Sequence, residues 1–177
     1  MNANQSRITA LLLAIVGAAA LRLAPHPPNF TPIDAMALFS GAYLGRRALA
    51  FFAPLGALLL SDALLGFYSG MQFQYLSVGL IVVLGWLVLS RTSVVRLGLA
   101  AVASSVLFFV ISNFGTWLVS GLYPHTLGGL LSCYIAAIPF YANTLAGDLF
   151  YVALLFGGFR VAELLVPKLA SGEAHPA

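Results

Sequence analysis

The residues able to do chemistry in this chain collect in one stretch and its neighbours. Between Ser112 and Asp148 the sequence reads SNFGTWLVSGLYPHTLGGLLSCYIAAIPFYANTLAGD, beginning and ending inside strongly apolar segments. Asn113 and Trp117 stand four apart, which places them on one face of a helix. Asn143 and Asp148, five apart, follow in the next apolar segment, and His125 lies between the two pairs. Trp117 offers a stacking surface, and Asn113 and Asn143 can each donate and accept hydrogen bonds. Asp148 suits a cationic or donor-rich group. Polar side chains and irregular backbone are tolerated in hydrocarbon only where they face protein or a water-filled cavity. The stretch reads as one wall and the lid of a ligand cavity. Its chemistry is recognition.

Bond-making chemistry finds no support. There is no H-E-x-x-H, no G-x-S-x-G and no G-x-x-x-x-G-K, so no enzyme activity is expected. His26, His125 and His175 are scattered over two loops and the C-terminal tail, and Cys133 is the single cysteine. A disulfide within the chain is excluded, and neither a metal site nor a cofactor is expected. The net charge of +3 is small and divided among loops, which argues against a nucleic-acid partner.

The elements that must position these residues are membrane helices. Of 177 residues, 61% are hydrophobic and 7% charged, and the mean hydropathy is +0.99. Those values lie far from a soluble domain, so the lipid bilayer is the expected surroundings. Six apolar segments run at about 8–24, 32–45, 48–66, 73–89, 94–120 and 141–163. A span needs about 20 residues, and the second segment is short enough to be re-entrant. Charge placement favours six spans in a single domain. Arg7, Arg46, Arg47, Arg91, Arg96, Arg160 and Lys168 then fall on one face, and only Arg22 on the other. Basic residues collect on the cytoplasmic side. Both termini are expected there, with an outer loop at 121–140 and a cytoplasmic tail at 164–177. Arg7 before an apolar run ending at Ala18–Ala20 has the outline of a secretory signal. Removing it would leave an odd number of spans, and cleavage is not expected.

With that orientation the polar residues sort by depth. Asn29, Asp34, Asp62, Tyr68, Gln72 and Gln74 join Asn113, Trp117, Asn143 and Asp148 at the outer end. Glu163 and Glu173 lie at the inner end, and the inner halves of the helices are nearly all aliphatic. Each outer residue also has a plain structural reading. Asn113 could bond a neighbouring helix, Asp34 could favour a helix N-terminus, and Asp62 could pair with Arg22. As a set they mark a pocket open outward, with Asn113, Trp117, Asn143, Asp148, Asp62, Tyr68, His125 and Asn29 as its substrate-binding residues.

Helix one carries Ala10, Ala14 and Ala18 at four-residue spacing, beside Thr9 and Gly17. Small residues so spaced let another helix approach closely. They serve either a docking face for a separate membrane subunit or packing inside this protein. The segment PHPPNFTP at 25–32 has prolines at 25, 27, 28 and 32, and it should carry the chain stiffly into helix two. Pro54 is expected to kink helix three. Trp86 fits an interfacial anchor on the inner side.

Four passages carry a resemblance: PNFTPIDAMALFSGAYLG from Pro28, PLGALLLSDALLGFY from Pro54, SNFGTW from Ser112, and GLYPHT with IPFYANTLAGDLFY from Gly121. The chain resembles a bacterial family of uncharacterised small membrane proteins that are similar to the S component of energy-coupling factor (ECF) transporters. The resemblance implies an all-α fold of six transmembrane helices in the bacterial cell (inner) membrane. It implies capture of a small vitamin-like or other polar metabolite from outside. It also implies a coupling membrane subunit with ATPases, docked on the small-residue face of helix one. The alternative is a scaffold or assembly factor that docks another membrane protein through that face, with the outer polar residues only packing.

Overall fold

The computed structural model describes residues 2–45 and 47–170; Arg46, Glu173 and His175 lie outside them. The described chain is all helical: α1 (Ala3–Leu21), α2 (Ile33–Leu44), α3 (Leu49–Leu65), α4 (Met71–Val88), α5 (Val94–Val119), α6 (Leu127–Leu165) and α7 (Pro167–Ala170). Four of these, α1, α4, α5 and α6, are long and apolar enough to cross a membrane. The other two apolar helices are shorter, at 12 residues for α2 and 17 for α3.

Helix ends follow local chemistry. α1 begins earlier than position 8 because Asn2 and Gln5 form a reciprocal capping box, at 2.8 and 3.1 Å. The expected loop at 121–140 is mostly helix, and α6 is 39 residues long instead of starting at 141. The Thr126 hydroxyl accepts from the Gly129 amide at 3.2 Å and starts the helix there. Gly129 is needed at that point, because a Cβ would overlap the Pro124 carbonyl. Pro139 lies inside α6 without ending it. α5 and α6 therefore form a long antiparallel hairpin. It is tied by Tyr134 donating to the Val110 carbonyl at 2.7 Å and by the Cys133 thiol at 3.4 Å from the Asn113 carbonyl.

α2 is the centre. Every residue in it except Ala42 and Tyr43 is buried, and it touches all five longer helices. At about 1.5 Å per residue it is some 18 Å long, well short of a bilayer core of about 30 Å. Its closest neighbour is α4, and glycines set the distance. A Cβ on Gly85 would lie 2.5 Å from the Leu38 carbonyl oxygen, and one on Gly41 would overlap the Val82 carbonyl. Backbones this close give dense packing, which must hold helices together where lipid is as apolar as leucine.

Pro54 in α3 is also answered from α2. Proline has no amide to donate to residue 50, and the freed Ala50 carbonyl accepts from the buried Ser40 hydroxyl at 2.7 Å. At one end of the bundle Arg7 pairs with Glu163 at 2.6 Å and bonds the Leu169 carbonyl, joining the start of α1 to α6 and α7. At the other end Arg22 pairs with Asp62, as the outer placement of both residues had allowed. Asp62 is 1% exposed and also accepts from the Tyr75 hydroxyl at 2.8 Å. Arg22 reaches the Ser61 hydroxyl as well.

The stripe on α1 faces inward. Ala18 is buried, and Ala10 and Ala14 pack against the core. The exposed side of α1 carries Leu13, Val16 and Gly17 instead. Packing inside the chain uses these small residues.

Candidate functional site

A cavity of about 320 Å³ lies at the end of the bundle marked by Arg22, within the size range of small-molecule sites. Five parts of the chain converge on it. The proline-rich segment brings Asn29 and Thr31, and α2 begins there with Asp34. The α3–α4 connection and the start of α4 bring Tyr68 and Gln74. α5 contributes Phe108, Phe109, Ser112, Asn113 and Thr116, and α6 contributes Phe140, Thr144 and Asp148.

The proline-rich segment is held in place from α6. The Asn143 side-chain amide donates to the Pro28 carbonyl at 3.0 Å. A Cβ on Gly147 would come within 3.2 Å of the Phe30 Cα, so only a small residue lets the segment lie this close. The Phe30 ring packs against Phe150 and Tyr151, with centroids 5.7 and 5.6 Å away. Asn29 takes φ +63°, a left-handed conformation that asparagine tolerates better than most residues. These contacts turn the segment into a fixed rim.

The floor is acidic. Asp34 is 3% exposed and Asp148 2%. Asp148 accepts from the Ser105 hydroxyl. The Asp34 carboxyl lies beside that of Asp148, and no donor from the rest of the described chain reaches its oxygens. A buried carboxylate left without donors is costly, and one next to a second carboxylate more so.

The walls are rich in acceptors. Ser112 donates to the Phe108 carbonyl at 2.7 Å, and Thr116 to the Ser112 carbonyl at 3.0 Å. Asn113 spends one amide proton on the Phe109 carbonyl at 2.8 Å, and Thr144 its hydroxyl proton on Phe140 at 3.2 Å. Such bonds one helical turn back are common for these residue types. Each oxygen keeps lone pairs that can still accept. Tyr68 donates to the Gln74 side-chain oxygen. Burial, and next the charge of Asp62, push the Tyr68 phenol above its ordinary range, with Arg22 opposing. Tyr68 thus keeps its proton at neutral pH.

Of the eight expected substrate-binding residues, Asn29, Tyr68, Asn113 and Asp148 line the cavity. Asp62 is engaged by Arg22 and Tyr75, and Asn143 anchors the rim. Trp117 turns the other way. Its indole donates to the Pro124 carbonyl at 3.0 Å and packs on His125, which is exposed, at 5.3 Å. Asn113 and Trp117 stand four apart, but at the cavity Thr116 takes the place next to Asn113. Among the lining residues missing from the expected set, the acidic one is Asp34. Its signal was a lone carboxylate in the otherwise apolar run PIDAMALF, which also fits a simple charge at a helix start.

A second, mainly apolar depression of about 730 Å³ lies between the start of α5 and the later part of α6, among Leu97, Leu149, Val152 and Phe156. Its walls match lipid chains better than a polar solute.

The fold and the cavity define a class: an all-α protein with helices apolar enough to cross a membrane, and a polar site enclosed at one end. Over residues 2–169 the chain matches the family described as a family of unknown function (DUF6580), and it belongs to that family. No curated protein and no solved structure matches it.

Proposed function

We propose that this protein is the substrate-binding membrane subunit of a transporter. It takes a small polar metabolite into the cavity from outside the cell and hands it inward with a coupling and ATPase module. The observation that carries this reading is the cavity itself, which holds two buried carboxyl groups at one end of an otherwise apolar bundle. A scaffold has no use for such a space, because buried unpartnered polar groups destabilise it.

The accompanying topology has six spans in the bacterial inner membrane with both termini in the cytoplasm, similar to an ECF S component. Two features support it. The start of α1 and the end of α6 share one end of the bundle through Arg7 and Glu163. That end also carries Arg160 and Lys168, as a cytoplasmic face should. α2 crosses only with the help of the chain around it, which a buried, lipid-shielded position allows. No reaction is assigned to the protein. Recognition and passage are its whole task.

Native mass spectrometry of the protein released from detergent micelles or nanodiscs tests the reading. A co-purifying small molecule at about one per chain is expected, lost when Ala137 in the cavity wall is replaced by Trp. A parent protein that carries nothing and loads nothing from a cell metabolite extract would return the cavity to a packing defect. The scaffold reading would then stand.

A further inference from the structure

Resting on the cavity as a ligand site, we infer that its ligand is a small organic cation, bearing one or more ammonium groups that settle against Asp34 and Asp148. Three independent features of the site converge on this class.

Charge comes first. Among the described residues lining the cavity, Arg22 is the one cation, and it is already committed to Asp62 and Ser61. Asp62 is neutralised by that pair and also accepts from the Tyr75 hydroxyl. Asp34 and Asp148 therefore face the cavity with no protein cation to answer them. Hydrogen bonding comes second. Apart from each other, the two carboxyls have little to bond: no other donor reaches the buried Asp34 oxygens, and Asp148 has the Ser105 hydroxyl, which the Ala101 carbonyl also attracts at 2.9 Å. The hydroxyls of Ser112, Thr116 and Thr144 spend their protons on their own helices. A ligand entering this space meets many acceptors, and the donors left are the side-chain amides of Asn29, Gln74 and Asn113. An ammonium group carries up to three protons and no lone pair, so it satisfies such a site where an alcohol or a carboxylate leaves it unsatisfied. The third feature is aromatic. Phe108, Phe109, Phe140 and Tyr68 line the same space, and ring faces attract cations most strongly where water is excluded. An anionic metabolite would bring a further acidic group to a site that already holds two buried carboxyl groups and no free cation, which disfavours it.

Three compounds with the same four-carbon span decide the class: 1,4-diaminobutane, 1,4-butanediol and succinate. Each is titrated, at constant ionic strength, into the full-length protein in lipid nanodiscs while the thermal unfolding midpoint is followed. The diamine should raise the midpoint in a saturable way, and the other two should leave it unchanged. In Asp34→Asn and in Asp148→Asn the diamine concentration needed for half the effect should rise by about tenfold or more, as expected for losing a charge-assisted partner. A response to succinate or butanediol equal to that of the diamine overturns the inference. So does an undiminished diamine response in both variants, or the absence of any diamine response in the parent. The last result would assign the two carboxyls a shared proton in place of a ligand. Comparison of the three compounds on the parent protein suffices if the variants fail to fold. The broader reading is separable: a retained neutral or anionic molecule in the native mass spectrum keeps ligand capture and removes the cationic class.

Discussion

Ser40 on α2 repairs the gap that Pro54 opens in α3, by donating its hydroxyl proton to the Ala50 carbonyl at 2.7 Å. Both Ser40 and Ala50 are fully buried. Ser40→Ala therefore strands a buried acceptor, at a cost of about 1–3 kcal/mol. In a Pro54→Ala background the restored amide at 54 can serve that carbonyl, and the same substitution should cost clearly less. Thermal unfolding in detergent of the four proteins of this cycle measures the coupling. Equal losses in both backgrounds would show that Ser40 acts by packing alone.

The Arg22–Asp62 pair closes the cavity end of α1 against α3. With Asp62 1% exposed, removing its partner leaves an uncompensated buried charge, worth about 3–5 kcal/mol. Arg22→Met should lower the unfolding midpoint strongly, and adding Asp62→Asn should recover part of the loss. Recovery distinguishes a stranded charge from lost packing of the Arg22 stem, which the second substitution could not restore.

Glycine at 85 and 41 sets the distance between α2 and α4. Gly85→Ala would force a Cβ into the Leu38 backbone and should abolish a monodisperse peak in size-exclusion chromatography. Gly17→Ala and Gly79→Ala meet open space and should behave like the parent. If Gly85→Ala elutes unchanged, the two backbones stand farther apart than described.

Orientation is open to a labelling experiment in a Cys133→Ala background. Ser69→Cys and Leu127→Cys, at exposed positions of the cavity end, should react with an impermeant thiol reagent in intact cells. Thr92→Cys, exposed at the other end, should react only after permeabilisation. Labelling at Thr92 alone would turn the cavity to the cytoplasm and remove capture from outside.

At the cavity itself, Asn113→Ala should weaken binding of a retained ligand several-fold, because its side chain faces the space with one amide proton and its oxygen still to offer. Trp117→Phe should leave affinity unchanged and loosen the α5–α6 connection, since its indole serves Pro124. Titration of the extracted ligand against both variants checks the pair. Weakening by Trp117→Phe alone would restore the tryptophan to the ligand's surface.

Composition and local pattern determined much of this protein by themselves. A hydrophobic share of 61% leaves only a helical bundle or a barrel as a membrane structure, and the long apolar runs select helices. The segments at 32–45, 48–66, 73–89 and 94–120 lie within two residues of α2 to α5, because proline, glycine and serine mark their ends locally. The gathering of polar residues at one end was equally legible, since depth along a helix follows from position in the sequence. Asn29, Tyr68, Asn113 and Asp148, picked out by depth, line the cavity. What sequence could not determine is direction around each helix and contact between distant segments. Trp117 turns to Pro124 and Asn143 to Pro28, because those partners lie nearer than the cavity once α5, α6 and the proline-rich segment are packed. The α1 alanines face the core for the same kind of reason: a small-residue stripe fits any close neighbour, and the neighbour here belongs to the chain itself. The start of α6 was hidden by Pro139 and the Gly128–Gly129 pair, which read as breakers until the Thr126 cap and the contact with α5 outweighed them. Asp34 and Asp148 meet only because α2 is buried at the centre of the bundle with its N-terminus against α6. That meeting is a property of packing, and no local pattern in either segment contains it.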